Sequence, residues 1–237
     1  MATVPSATAP KSATAAASPQ STVASHVADI AGYKPNQTIV SLLGTFADRI
    51  PATNPNTQPF VHPPHFLGPV QAPGGSVLVI DSALELDTDG WLGDQGNADW
   101  QSGTSLQYTV SKTSLDANRV PYFVLPLPTA WPTTFGIHLG DYAAILFDGR
   151  LAFAVFGDFG PHNKIGEGSV ELLRRLGQER VRPNGTIINA GTNAGVLTIV
   201  FPGSRNDSDH ADEATLLNAI ATRGAELFTA LGGRLPA

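Results

Sequence analysis

The sequence predicts a mainly β fold with peripheral helices, and three observations carry that expectation. Glycine and proline are abundant (24 and 19 of 237 residues), which suits a loop-rich β protein better than a helical bundle. From Gly75 onward the chain is punctuated by short apolar runs of strand length, rich in β-branched and aromatic residues. Two of those runs meet at Asp148-Gly149, a strong hairpin signal because both turn residues tolerate positive φ.

Taken in order, residues 1–25 are almost entirely Ala, Ser, Thr and Pro. Such a segment cannot bury enough apolar surface to offset its ordering entropy, so it reads as a disordered tail or linker. Residues 26–237 then form a single domain, long enough to bury a core without staples. Residues 38–50 suit a short helix or strand. Pro51 to Pro73, with seven prolines, reads as irregular chain. His62 and His65 lie there as His-Pro-Pro-His, with no regular element to set a metal-binding spacing. The predicted strands are Val77–Ile80, Ser105–Val110, Tyr122–Leu125, Ala143–Phe147, Leu151–Phe156, Thr186–Ile188 and Val196–Phe201. Ser169–Leu176 reads as a short helix stopped by Gly177. A longer helix spans about Asp212 to Leu231: Leu216, Leu217, Ile220, Leu227, Phe228 and Leu231 share one face, and Asp209 or Asp212 caps its start.

Composition narrows the function classes. With no cysteine, disulfides, zinc–thiolate sites and thiol nucleophiles are excluded. A net charge of −6 argues against a nucleic-acid partner and is compatible with a cationic one. No apolar run reaches membrane-spanning length. The N-terminus lacks the basic and apolar blocks of a signal peptide, so an exported protein would already have lost its leader.

The segment richest in chemistry is Phe156-Gly-Asp-Phe-Gly-Pro-His-Asn-Lys-Ile-Gly-Glu-Gly-Ser169. It places Asp158 where a strand runs out and Glu167 just before a helix. Four glycines in this segment (Gly157, Gly160, Gly166 and Gly168) permit tight turns, so the two acids can face each other across a cleft. Two facing carboxylates are what glycosidic hydrolysis requires: one protonated to donate to the leaving oxygen, one ionised. Lys164 and the helix start favour the charged form of Glu167, whereas an apolar wall from Phe156 or Phe159 favours a neutral partner. Acids near loops and helix starts also serve as plain caps and turn residues.

Gly-Asp-Phe-Gly-Pro followed by Lys-Ile-Gly-Glu-Gly-Ser resembles the signature of the fungal-type chitosanases, glycoside hydrolase family 75. Leu115-Asp-Ala-Asn-Arg-Val-Pro-Tyr-Phe-Val-Leu125, Leu139-Gly-Asp-Tyr142, Val200-Phe-Pro-Gly-Ser204 and Leu86-Asp-Thr-Asp-Gly90 are similar to further stretches of that family, in the same order. The resemblance runs from about Ser82 to Ser204. It implies an inverting hydrolase with Asp158 and Glu167 as the catalytic pair, on a six-stranded double-psi-like β-barrel with short helices. Of the two, Glu167 is taken as general acid and Asp158 as general base. Phe159 in place of a valine, and His162-Asn163 in the loop, depart from the family pattern without touching either acid.

The implied substrate is chitosan or partially acetylated chitosan, cut at internal β-1,4 bonds by a secreted monomer without a cofactor or metal. Chitosan carries free amines, so a cleft for it should hold extra acids. The candidate substrate-binding residues are Asp87, Asp89, Asp116, Tyr122, Asp141 and Lys164, with Asp94 and Asp99 nearby. Asp87-Thr-Asp-Gly90 could instead open a calcium loop, but Trp91 and Ala98 occupy positions where an EF-hand needs ligands. Trp91, Trp100, Tyr122 and Trp131 are candidates for stacking on sugar rings, or for packing. A serine hydrolase lacks its Gly-x-Ser-x-Gly elbow here, and an aspartic protease its Asp-Thr-Gly pair. The rival from another class is a non-catalytic polysaccharide-binding barrel, which would have no chemical reason to keep both acids.

Overall fold

The computed structural model describes residues 60–235, apart from 63, 73–74, 95–97, 128–129, 189–190 and 234. The expected N-terminal tail and the element at 38–50 lie outside the described residues. The described residues form seven strands: β1 (His65–Ala72), β2 (Gly75–Asp87), β3 (Tyr122–Pro126), β4 (Tyr142–Phe147), β5 (Arg150–Gly160), β6 (Glu167–Ser169) and β7 (Thr192–Val200). Among the described residues, three α-helices accompany them: α1 (Trp131–Phe135), α2 (Val170–Arg175) and α3 (Glu213–Ala230).

The strands pair in the order β2-β6-β3-β5-β4-β7, and β7 pairs back onto β2, so six of them close into a barrel. The β2–β6 and β3–β5 pairs are parallel and the other barrel pairs antiparallel. β1 lies outside this ring, antiparallel to the first half of β2. The fold is therefore the mainly β, six-stranded barrel with short helices that the sequence predicts.

Side chains alternate between two faces along each strand. One face carries Leu78, Ile80, Phe123, Ile145, Ala154 and Phe156. The other carries Val79, Val124, Ala144, Val155 and Ile199, and receives Leu216, Ile220 and Phe228 of α3. Trp131 and Phe135 of α1 and Leu172 and Leu173 of α2 pack with the first set, so both faces of the barrel wall are covered by apolar side chains. Gly224 lets α3 settle close: a Cβ there would stand 2.6 Å from the Phe153 ring on β5.

Local signals explain most elements. Asp148 (φ 45°) and Gly149 (φ 75°) form the turn between β4 and β5 as their sequence requires. Asp212 caps α3 by accepting from the Thr215 amide at 2.8 Å. Ser169 caps α2 and is buried; its hydroxyl accepts from the Leu172 and Tyr122 amides and donates to the Val120 carbonyl.

Four sequence expectations need correction. Within Pro51–Pro73, residues 65–72 form strand β1 on the edge of the ring, where a proline removes no needed ladder bond. Ser105–Val110 is not a strand; its backbone follows an irregular path against β5, with a lone bridge from Gln107 to Ser114. Thr186–Ile188 contributes only the bridge of Ile187 to Val181. Glu167 opens a three-residue strand instead of preceding a helix directly. Helix α1 was not signalled by periodicity: it is one turn long, and Trp131 anchors it by full burial and a 2.8 Å bond from Nε1 to the Pro126 carbonyl.

Candidate active site

The strand register aligns the two acids. Val124 on β3 pairs with Asp158 on β5 on one side and with Glu167 on β6 on the other. Residues directly opposite one another share a face, so both carboxylates rise beside Val124, two strand spacings or about 9.5 Å apart at the backbone. The parity depends on a bulge. Phe123 pairs with Phe156, but the next residue, Val124, pairs with Asp158, so Gly157 is skipped. Without that extra residue Asp158 would face the opposite side. Gly157 also lies too close to β3 for any side chain: a Cβ there would stand 2.5 Å from Tyr122 Cβ.

Asp158 is buried, and one of its oxygens is saturated. Oδ1 accepts from the Ser105 amide (2.9 Å), the Ser105 hydroxyl (2.5 Å) and the Phe159 amide (2.7 Å). Burial raises its pKa, and those three donors oppose the rise by favouring the ionised form. Glu167 is also raised by burial; its bond to Lys164 pulls the other way, while Glu85 and Asp158 add to the rise. Lys164 Nζ stands 2.6 Å from Glu167 Oε1 and 2.9 Å from Glu85 Oε2. The second oxygen, Oε2, lies over Gly160, where a Cβ would come within 2.5 Å of it.

A cleft of about 600 Å³ runs past these groups. Its lining includes five carboxylates, those of Glu85, Asp87, Asp89, Asp99 and Glu167, together with Lys164. Asp87, Asp89 and Asp158 bring carboxylate oxygens within 4.8 Å of one another, a seat for a positive charge or a shared proton. Two hydrogen bonds brace the turn holding the first two: Asp87 Oδ1 accepts from the Asp89 amide, and Asp89 Oδ1 from the Gln101 amide. Burial pushes Asp87 up to about 8, with Asp89, Asp158 and Glu167 adding repulsion. Asp89 is pushed to about 6, again mainly by burial.

That displacement predicts a pH effect on stability. The folded value for Asp87 lies above its ordinary 3.8, so between these limits the native protein holds a proton that the unfolded chain has released. The stabilisation is complete below the unfolded value and is lost as pH rises towards about 8. Asp87→Asn should flatten this dependence and raise Tm at about pH 8 by ~3–6 °C. Scanning calorimetry of both proteins across pH at constant ionic strength checks it, and parallel curves would refute the burial account.

Other expected site residues are placed differently. Tyr122 is fully buried beneath the cleft, where its hydroxyl donates to the Asp89 carbonyl at 3.0 Å; it supports the acidic turn and offers no stacking face. Asp141 lies at the start of β4, away from the cleft lining, and its carboxylate accepts from the His138, Gly203 and Arg205 amides. Asp116 likewise stands outside the lining, accepting from the Asn118 amide in the turn before β3. Trp131 is core. Asp94 receives the Thr88 hydroxyl at 2.6 Å and braces the acidic turn. His62 and His65 are exposed. Sequence reasoning missed Ser105, which carried no signal. It also missed Glu85, which strand alternation could have found, because Glu85 and Asp87 flank Leu86 on one face of β2.

Among the described residues, no helix is long and apolar enough to cross a membrane. The family described as fungal chitosanase of glycosyl hydrolase group 75 matches residues 84–236, well over half of the chain and all of the cleft residues named above. No curated protein matches the chain.

Proposed function

The chain belongs to glycosyl hydrolase group 75, the fungal chitosanases, and from that premise we propose that it cuts internal β-1,4 bonds of chitosan by inversion, outside the cell. The observation that carries this reading is the pairing of two carboxylates of different surroundings across Val124: Glu167 lines an acid-rich cleft, and Asp158 is buried beside it against Asp87 and Asp89. A polymer of glucosamine presents ammonium groups, and an acid-lined cleft raises their local concentration.

Glu167 serves as the general acid. Its Oε2 protonates the glycosidic oxygen as the C1–O bond breaks. Asp158 serves as the general base: with Oδ1 saturated by three donors, Oδ2 takes a proton from the water that attacks C1 on the opposite face. Each turnover consumes one water, breaks one glycosidic bond and returns both carboxyls to their starting states after proton exchange with solvent. Inversion needs the two carboxyls about 6.5–9.5 Å apart with a water between them, whereas a retaining pair stands closer, at about 5–5.5 Å.

The test is the anomer formed first. Proton spectra recorded within the first turnovers on soluble chitosan should show α-configured reducing ends, with viscosity falling faster than reducing ends accumulate. Initial β product would overturn inversion, and steady release of monomer without viscosity loss would overturn internal cutting.

A further inference from the structure

Lys164 has two anionic partners, and the second has no part in the reaction as written. Glu85 on β2 pairs directly with Glu167 on β6, so the two acids lie side by side on one face. The Lys164 ammonium sits between them, 2.6 Å from Glu167 and 2.9 Å from Glu85. The Glu167 side chain is only 11% exposed, against 38% for Glu85, so the neighbours of Glu167 act through little water.

We propose that Glu85 is a positioning residue for the reaction: by sharing the Lys164 ammonium, it keeps Glu167 in its proton-donating state and holds Oε1, leaving Oε2 to act. The inference rests on the assignment of Glu167 as general acid. A lysine bound to Glu167 alone would favour the ionised carboxylate, which is the wrong form for an acid. Glu85 counters this twice, through its own negative charge and through the half-share of the cation that it takes. The remaining charged groups acting on or near Glu167 are Asp158 from β5, and Asp87 and Asp89 from the end of β2 and its turn. All three are acids, so Lys164 is the favourable charge whose allotment matters.

Removing either partner of Lys164 should therefore move one limb of the pH–rate profile, in opposite directions. The substrate is a soluble glucosamine hexamer at fixed ionic strength, and kcat/KM is followed across pH for wild type, Glu85→Gln and Lys164→Met. The alkaline limb reports the acid of the free enzyme. Glu85→Gln should shift it down by about 0.5–1 pH unit, with the acidic-side rate kept within about threefold. Lys164→Met should shift it up. A purely structural or substrate-binding role for Glu85 would lower the rate equally at every pH, and that result overturns the proposal, as does an unmoved limb. If the acidic limb moves with these signs, the sharing of Lys164 stands and the acid and base roles are exchanged. Should Lys164→Met fail to fold, the Glu85→Gln profile decides alone.

Discussion

Asp158→Asn and Glu167→Gln should each lower kcat on soluble chitosan by at least about 10²-fold while leaving Tm within a few degrees of wild type. Both substitutions keep volume and remove only the capacity to exchange a proton. At position 158 an amide oxygen can still accept from Ser105 and Phe159, so the loop at 105 stays attached to β5. At position 167 the amide keeps a contact with Lys164, which Glu85 continues to hold. The fold therefore survives and the chemistry does not. Initial rates by reducing-end assay, with calorimetry on the same preparations, check both halves. Retention of more than a tenth of wild-type kcat by either variant would sink its catalytic role. A wild-type protein that binds chitosan and cuts no glycan would make this barrel a binding module.

Gly157→Ala should destabilise the protein by about 2–4 kcal/mol, a fall in Tm of roughly 5–12 °C. The added methyl would stand 2.5 Å from Tyr122 Cβ and 3.1 Å from a Leu115 methyl. Tyr122 cannot retreat: its Cβ is tied to the β3 backbone, and it is completely buried. Relief must come from β5, whose Gly157 carbonyl also accepts from the Leu106 amide at 2.9 Å. Any such shift turns Asp158 away from Val124, so activity at a temperature where the variant is fully folded should fall at least about tenfold. Denaturant unfolding and single-temperature kinetics together separate the two effects. Wild-type stability would show that the bulge can absorb a methyl.

Much of this was legible beforehand because it is local. The Asp-Gly turn, the Asp212 cap and the β-branched runs of β3, β4 and β7 depend on neighbours within a few residues. The two acids stood out because their glycine-rich connection is long enough to form a motif. What escaped notice depends on pairing across the chain. Ser105 meets Asp158 from 53 residues away, and β6 is too short to carry a period of its own. Asp141 and Asp116, which lie outside the cleft lining, were indistinguishable from lining acids for a related reason: an acid in a polar turn reads the same whether its oxygens serve a ligand or backbone amides. The bulge at Gly157 was likewise invisible, since its sequence trace is one glycine among many.

The closure of the ring has a bearing on how the chain reaches this state. β2 and β7 are the first and last strands of the barrel, and their pairing joins Leu78 to Val200. During synthesis, the β7 side of β2 must wait for its partner until almost the whole barrel has left the ribosome. The parallel β3–β5 and β2–β6 pairs add further joins that no tight turn can make. Contacts so distant along the chain carry a large loop-closure entropy before they contribute anything, which places such barrels among slow folders, on the scale of milliseconds to seconds. Until β7 docks, β2 and β4 each present an open edge, and the two local antiparallel pairs, β1 with β2 and β4 with β5, are the parts able to form early. The two acids proposed as catalytic sit on β5 and β6, and the acidic turn at the end of β2, so the cleft needs the distant β2–β6 and β3–β5 joins before it exists.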